Sequence, residues 1–250
     1  MHTDRVVVVT GGAQGIGLGI SQLFARNGHP VAILDLDEEA LERESEALRA
    51  EGCKILARKL DVASREQTEA AYADIRKELG PITILIANAG MAVSADFADM
   101  SIDVWQRMID VNLTGMFHTI QAALPDMQEA KWGRIITISS HAALSGAPDR
   151  AHYSASKGGV IGLTRALARE FATQGITVNT IPPSLVETPA CHRDIAAGKF
   201  PPLEMITPQI PIPRAGTPDD IARGCEYLAS EGAEYVTGVV LPVNGGMFIG

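Results

Sequence analysis

Short apolar runs alternate with helix-like segments along almost the whole chain, and this alternation restricts the possible folds more than any other feature. Most of the runs are continuously apolar, which is typical of strands that are covered on both faces. Such alternation favours a parallel sheet with right-handed crossovers, so we expect an α/β fold with a doubly wound sheet and helices on both faces. The predicted strands are 5–10, 30–35, 54–61, 82–90, 134–140, 176–181 and 236–243, and the predicted helices are 15–28, 38–51, 65–79, 101–130, 152–174 and 218–231.

One segment, 182–217, interrupts the alternation. It is rich in proline and glycine and connects the last two predicted strands. Loops of this length inside a compact domain are usually functional. Because the chain has no internal repeat, low-complexity tract or linker, we interpret 1–250 as a single domain with a substrate loop at about 187–215.

The composition restricts the partners. The 250 residues are 46% hydrophobic and carry a net charge of −9, which argues against nucleic acid or an anionic membrane as the main partner. Cys53, Cys191 and Cys225 lie far apart without a CxxC motif, so they give no metal signature and fit a reducing compartment. The sequence shows no run of membrane-spanning length and no secretory pattern, and we expect a soluble cytoplasmic protein.

A glycine-rich segment, VVVVTGGAQGIGLGISQLF, joins the first predicted strand to the first predicted helix. Its glycines at 11, 12, 15 and 17 allow a tight turn and the close approach of a phosphate, and the helix start offers free N–H groups. The segment predicts a pyrophosphate-binding loop, although glycines in tight turns also serve packing alone. The spacing is G-x-x-x-G-x-G rather than the general G-x-G-x-x-G, and no Lys-Ser/Thr pair follows, which excludes a P-loop.

The second predicted strand ends in Asp35, eighteen positions after Gly17. An acidic residue at about this separation binds the ribose hydroxyls of a dinucleotide, and its charge repels a 2′-phosphate. Gln14 occupies the middle of the glycine loop, and no basic residue stands there or just after Asp35. We therefore predict NAD rather than NADP. The alternative for Asp35 is an ordinary helix cap, a role for which Asp37 is the better candidate.

The next two strand ends carry residues that suit the same ligand. Asp61 and Val62 follow the third strand and would meet the adenine, and Asn88, Ala89 and Gly90 follow the fourth, where small residues allow close backbone approach. In open parallel sheets, ligands bind at the carboxyl ends of the strands, where the strand order reverses.

The candidate catalytic residues lie in the second half of the chain. Tyr153 and Lys157 are four positions apart on a predicted helix and so share one face, where a fixed positive charge would lower the pKa of the phenol. By itself, such a pair also fits a surface tyrosine beside a surface lysine. Ser139 and Ser140 end the fifth strand, and Asn112 lies in a helical pattern, where it could equally be a satisfied core amide.

Together, TGGAQGIG, NAG, Asn112, Ser140 and Tyr153-x-x-x-Lys157 resemble the short-chain dehydrogenases/reductases in order and separation, from Val6 to the terminal VLPVNGG. The resemblance implies a single-domain Rossmann fold with seven parallel strands. It is strongest to the cytoplasmic, tetrameric branch that includes 3-oxoacyl carrier-protein reductases and small secondary-alcohol dehydrogenases, so a homotetramer is expected.

The resemblance also implies the roles of the catalytic residues. Tyr153 would exchange a proton with the substrate oxygen, and Lys157 would lower the pKa of the tyrosine and bind the nicotinamide ribose. Ser140, chosen over Ser139 for its thirteen-residue separation from Tyr153, would donate to the substrate oxygen. Asn112 would hold a water that links Lys157 to solvent. Because all four positions are filled, we favour an enzyme over a binding or regulatory protein that has lost catalysis.

One departure concerns the residues after the sixth strand. The family usually shows Pro-Gly-x-Val/Ile-x-Thr, but this chain has Ser184 in place of the glycine, which would be strained if the position requires a positive φ. Val186 and Thr188 still match the positions that hold the nicotinamide carboxamide. The full set predicted to bind NAD is Gly11, Gln14, Gly15, Ile16, Gly17, Asp35, Asp61, Val62, Asn88, Ala89, Gly90, Tyr153, Lys157, Pro183, Val186 and Thr188.

The segment 190–213 is expected to cover the nicotinamide as a lid, or alternatively to pack against a neighbouring subunit. Its apolar residues include Ile195, Phe200, Leu203, Met205 and Ile206. An acidic carrier protein would need a basic surface beside the site, for which only Lys131 and Arg134 are candidates. We therefore predict hydride transfer between NAD(H) and a small, mainly apolar secondary alcohol or ketone. The alternative is a 3-oxoacyl carrier-protein reductase, with NADP as its alternative cofactor.

Overall fold

The computed structural model describes residues 4–249, and its centre is a six-stranded parallel sheet with the order β3-β2-β1-β4-β5-β6. The order reverses between β1 and β4, which are neighbours in the middle of the sheet. This reversal opens a crevice at the carboxyl ends of the two strands. The strands are β1 (Val6–Thr10), β2 (Val31–Asp35), β3 (Ile55–Lys59), β4 (Ile82–Ala87), β5 (Gly133–Ile138) and β6 (Ile176–Ile181).

Helices cover both faces of the sheet, as the alternation predicts. They are α1 (Gly15–Arg26), α2 (Glu38–Ala50), α3 (Arg65–Glu78), α4 (Ile102–Ile109), α5 (Gly115–Ala130), α6 (Ala142–Ser145), α7 (Ala151–Phe171), α8 (Pro189–Ala196), α9 (Leu203–Ile206) and α10 (Pro218–Ala229). Within residues 4–249, no helix is both long enough and apolar enough to span a membrane.

Each sheet face has its own apolar core. Along β1, Val7 and Val9 pack with α1, α2 and α10, and Val6 and Val8 pack with α3, α5 and α7. Successive side chains of a strand point to opposite faces, so a continuously apolar strand serves both cores. All four valines are almost fully buried.

The seventh predicted strand, 236–243, is wrong as a full member of the sheet. It meets β6 through a single parallel bridge between Thr180 and Val240. Three backbone hydrogen bonds join the two segments, from the Thr180 N–H to the Val239 carbonyl, from the Leu241 N–H to the Thr180 carbonyl and from the Gly238 N–H to the Val178 carbonyl. Side chains add to them: Asn179 bonds the backbone of Val236 and Val239, and the Thr237 hydroxyl accepts from the Val178 N–H. The segment therefore lies along the edge of the sheet without forming a regular strand.

The predicted helix 101–130 is divided in the structure. A π-helical turn, Asp110–Thr114, separates α4 from α5. Such turns are frequent at functional sites because they move a side chain out of the regular helical register. Asn112 is the central residue of this turn.

Candidate active site

The glycine loop forms a tight backbone turn between β1 and α1. Gly11 has a φ of +61°, and a side chain at Gly17 would overlap the carbonyl oxygen of Gly11. The N-cap residue of α1, Gln14, makes no side-chain capping bond, whereas α2 and α3 are capped by Asp37 and Ser64. The first N–H groups of α1 are thus free of a side-chain cap and suit an anion.

A cleft of about 370 Å³ follows this loop at the carboxyl edge of the sheet. It brings together ten of the residues that the sequence predicts for NAD. These are Gly11, Gln14, Gly15, Ile16, Gly17, Asp35, Asn88, Ala89, Gly90 and Thr188. The cleft is lined in addition by Pro189 and Ala190, and its described lining includes no lysine or arginine.

Asp35 is fixed at one end of this cleft by the backbone. Its Oδ2 accepts from the Ala13 N–H at 3.0 Å, and its Oδ1 accepts from the Leu36 N–H at 2.8 Å. The residue that caps α2 is Asp37 and not Asp35, because the Asp37 Oδ1 accepts from the Ala40 N–H at 3.0 Å. Asp35 is therefore a half-buried carboxylate with a fixed orientation in the cleft and no capping role.

Asp61 and Val62 follow β3 but do not line this cleft. The Asp61 Oδ1 accepts from the Ala63 N–H at 3.0 Å, and its carboxylate lies 3.7 Å from the Arg107 guanidinium. Val62 is buried against Gly115, where a side chain would come within 2.7 Å of it. Their contact with adenine stays a prediction.

A second cavity, of about 430 Å³, is lined by Ser140, Tyr153, Pro183 and Val186. Ser140 Oγ accepts from the Ala142 N–H at 3.2 Å, which leaves its own O–H free to donate. Lys157 lies behind the cavity and is only 4% exposed. Its Nζ donates to the Ile138 carbonyl at 2.9 Å and lies 6.0 Å from the centre of the Tyr153 ring.

The predicted lowering of the Tyr153 pKa by Lys157 is not what the structure gives. Burial raises the pKa of Tyr153, and the Ser140 hydroxyl and the Arg150 charge act in the opposite direction. Burial also lowers the pKa of Lys157 to about 8, because removal from water disfavours the ammonium. The i, i+4 spacing brings the two side chains to one face, but burial is the largest cause of the pKa shift of each group.

Asn112 is buried and bonds the loop that follows β4. Its Oδ1 accepts from the Met91 N–H at 2.8 Å, and its Nδ2 donates to the Met91 carbonyl at 3.0 Å and to Ser156 Oγ at 3.2 Å. A side chain at Gly90 would come within 3.0 Å of Asn112 Oδ1 and 3.3 Å of Lys157 Nζ. Asn112 is thus a satisfied amide, and Gly90 packs directly against it and Lys157.

The segment after β6 joins the two cavities. Ser184 does not have a positive φ, so the serine in place of the family glycine introduces no backbone strain. Val186 pairs with Gly216 in an isolated parallel bridge. Thr188 caps α8 through the Cys191 N–H, and a side chain at Gly15 would lie 3.4 Å from its methyl group.

The predicted lid contains two short helices, α8 and α9. Of its five predicted apolar residues, Phe200 and Ile206 line the second cavity, whereas Met205 is 65% exposed. Ile195 and Leu203 are partly buried but do not line the cavity.

Several residues of this cavity are not among those predicted from the sequence. They are His141, Ala142, Arg150, Leu185, Cys191, Asp194 and Met247. Arg150 could have been found, because it stands three positions before Tyr153 at the start of the same helix. Met247 could not, because the chain reaches the cavity there only through the folding of its C-terminal segment.

The comparisons with known proteins agree with this geometry. The family model described as enoyl-(acyl carrier protein) reductase, one of the short-chain dehydrogenase/reductase models, matches residues 11–248. The chain belongs to the short-chain dehydrogenases/reductases. It is therefore an oxidoreductase, and the family implies a nicotinamide nucleotide cofactor.

Among similar proteins of this family, the nodulation protein G of Azospirillum brasilense is 40% identical, with 98% of each chain covered. The acetoacetyl-CoA reductase of Shinella zoogloeoides is 38% identical, with 98% of this chain and 99% of that one covered. The 3-oxoacyl-[acyl-carrier-protein] reductase of Pseudomonas aeruginosa is 36% identical, with 98% of each covered. The crystal structure of gox2181 superimposes with a TM-score of 0.91 at 35% identity, over 97% of this chain and 95% of that one.

Proposed function

We propose that this short-chain dehydrogenase/reductase interconverts the 3-oxo and 3-hydroxy forms of an acyl compound with NAD(H). The observation that carries the proposal is the meeting of Ser140 and Tyr153 in one cavity, with Lys157 buried behind them. The glycine loop, the uncapped start of α1 and Asp35 fit a dinucleotide in the adjoining cleft. The bound cofactor supplies the hydride.

In this proposal, the protein's own groups manage the substrate oxygen. Ser140, whose O–H is free, donates to that oxygen, and Tyr153 holds the proton that it gives in reduction and takes in oxidation. Two donors aimed at one oxygen stabilise the negative charge that hydride transfer places there. Lys157 binds the nicotinamide ribose, and Asn112 fixes the loop at Met91 beside it.

NAD is proposed over NADP because Asp35 lies in the cleft with a fixed orientation and no basic residue lines that cleft among the described residues. A 2′-phosphate there would meet a carboxylate without a compensating cation. The set Asp61, Val62, Pro183, Val186 and Thr188 is proposed to complete the cofactor site.

The relatives favour a 3-oxoacyl substrate over the free apolar alcohol that is predicted from the sequence. Two of the proteins named above are reductases of acetoacetyl-CoA and of 3-oxoacyl-[acyl-carrier-protein]. The apolar alcohol stays a second candidate, because Leu185, Val186, Phe200, Ile206 and Met247 give the cavity an apolar part.

The test is a comparison of NAD reduction with 3-hydroxybutyrate, its coenzyme A thioester and a cyclic secondary alcohol, with NADP measured in parallel. We expect higher kcat/KM for a 3-hydroxyacyl compound and for NAD, and turnover at least about 10²-fold slower by the Tyr153→Phe blank. Preference for the cyclic alcohol would support the second candidate, and preference for NADP would contradict the cofactor assignment.

A further inference from the structure

Arg150 is the basic group of the substrate cavity, and the mechanism leaves it without a role. It is half-buried, lines the cavity with Ser140 and Tyr153, and occupies the N-cap position of α7. Its Nε makes one long hydrogen bond, 3.4 Å to Ser94 Oγ. Among residues 4–249, no carboxylate oxygen lies within 4.0 Å of its guanidinium nitrogens.

The backbone that presents Arg150 is unusual. Asp149 has a φ of 55°, a left-handed conformation that residues other than glycine seldom adopt. Its carbonyl accepts from the Ala95 N–H at 2.8 Å, so the loop after β4 holds the turn in place. Residues in such conformations concentrate at functional sites, where the surrounding structure maintains them.

The other polar groups around the cavity limit what Arg150 could bind. Asp194 and Cys191 enter from α8, and His141 enters from the segment after β5. Asp194 carries the opposite charge but is not within ion-pair distance of Arg150. A half-buried guanidinium without an acidic partner fits a ligand that brings its own negative charge, and the planar fork of arginine matches a carboxylate.

We propose that Arg150 determines specificity by binding the carboxylate of a short 3-oxo or 3-hydroxy acid while Ser140 and Tyr153 hold the C3 oxygen. The inference rests on the proposed function and names the free acid as its substrate class. Two carbon–carbon bonds separate the carboxylate carbon from C3, so both groups fit in one cavity of about 430 Å³. The reaction is unchanged: oxidation removes the hydride from C3 and the proton from its hydroxyl, and the carboxylate takes no part.

The test compares two substrates that differ only in the group facing Arg150. One is 3-hydroxybutyrate, and the other is 4-hydroxypentan-2-one, in which a neutral acetyl group replaces the carboxylate. The readout is the ratio of their kcat/KM values in NAD reduction, because this ratio cancels any effect of Arg150 on Tyr153. Arg150→Gln should lower the ratio by about tenfold to a hundredfold, as expected for a charged hydrogen bond.

Three further variants sharpen the comparison. Arg150→Lys keeps the positive charge but lacks the planar guanidinium, so its kcat/KM ratio should lie between those of the wild type and Arg150→Gln. Asp194→Asn removes a repulsive charge from the same cavity and should raise the ratio. Arg193→Gln, on the exposed side of α8 and outside the cavity lining, should leave it unchanged. Binding of NADH, followed by fluorescence, checks that each variant is folded.

If Arg150→Gln leaves the ratio of the two kcat/KM values unchanged, whether or not both values fall, the inference is overturned. Wild-type enzyme that oxidises the coenzyme A thioester but not the free acid would also overturn it, while the proposed function would stand. Wild-type enzyme that oxidises no 3-hydroxyacyl compound would overturn both.

Discussion

Tyr153 and Lys157 respond to burial in opposite senses. Burial raises the pKa of the phenol and lowers that of the ammonium to about 8, so the neutral phenol prevails near pH 7. A neutral phenol is the form that gives a proton in reduction, and the phenolate is the form that accepts one in oxidation. The two directions of the reaction should therefore depend differently on pH.

We expect kcat/KM for alcohol oxidation to rise between about pH 7 and pH 10, as the phenolate fraction grows. Ketone reduction should not rise over the same range. Stopped-flow or steady-state pH profiles in both directions measure this directly. An oxidation rate that falls as the pH rises would contradict the assignment of Tyr153 as the base.

Tyr153→Phe should lower kcat by about 10²- to 10⁴-fold, because the ring remains but no proton is exchanged. Binding of NADH should be largely kept, which fluorescence titration can verify. Tyr72→Phe is a matched control, since Tyr72 is buried in α3 and lines neither cavity. The catalytic assignment fails if both variants retain wild-type kcat.

Asp35→Ser should reduce NAD affinity about tenfold or more and narrow the gap between NAD and NADP. The change removes charged hydrogen bonds, worth about 1.5–3 kcal/mol each, together with the repulsion of a 2′-phosphate. Asp37→Asn is the control: it removes a nearby charge but keeps a good N-cap for α2. Direct measurement of the Kd for NAD and for NADP tests this prediction. Equal changes in these Kd values in Asp35→Ser and Asp37→Asn would argue against a specific role for Asp35.

At the scale of secondary-structure elements, the turn between β1 and α1 depends on a close backbone contact. A side chain at Gly17 would overlap the Gly11 carbonyl, whereas one at Gly162, exposed on α7, would meet nothing within 4 Å. Gly17→Ala should therefore cost about 2 kcal/mol or more in unfolding free energy and weaken cofactor binding. Gly162→Ala should gain about 0.5–1 kcal/mol from helix propensity. Thermal unfolding measures the stability of the two variants, and NADH titration measures their cofactor binding. Equal stability and equal NADH affinity of Gly17→Ala and Gly162→Ala would contradict the prediction.

The elements themselves were largely predictable, because their signals are local. Continuous apolar runs such as 82–90 and polar helix starts such as Asp37 and Ser64 act within a few residues of the chain. The failures involve contacts between segments that are distant in sequence. The segment 236–243 is joined to β6 partly by the side chains of Asn179 and Thr237, and the π-helical turn around Asn112 is stabilised by the loop at Met91.

The sequence predicts those residues of the site that lie at the end of a strand or the start of a helix. The glycine loop, Asp35 and Asn88 meet in one cleft because parallel strands end at the same edge. The substrate cavity was less predictable, because Arg150, Asp194 and Met247 come from a turn, the lid and the C-terminal segment. No periodicity of the sequence relates these three residues to one another.

At the scale of the whole molecule, the homotetramer and the cytoplasmic location stay predictions. Exposed apolar residues on and beside α4 and α5 would suit a subunit contact: Phe97, Ile102, Val104 and Phe117. Sedimentation equilibrium would measure the number of chains in the assembly.

The distribution of charge bears on whether an acidic carrier protein could deliver the substrate. Lys131 and Arg134, the basic candidates from the sequence, lie at the amino end of β5, whereas the cavity lies beyond its carboxyl end. Arg134 is moreover buried. The lid segment 190–213 carries two basic and two acidic residues, so it offers no net positive surface beside the entrance.

We therefore expect no advantage for a carrier-bound substrate. The kcat/KM for acetoacetyl-carrier protein should not exceed that for the neutral N-acetylcysteamine thioester, because a chain of net charge −9 repels an acidic partner. Raising the salt concentration from about 50 to 500 mM should raise or leave unchanged the rate with the carrier, since screening weakens repulsion. The neutral thioester controls for general effects of salt on the enzyme. A strong preference for the carrier-bound form that disappears as salt rises would instead locate a basic docking surface and favour a carrier-protein reductase.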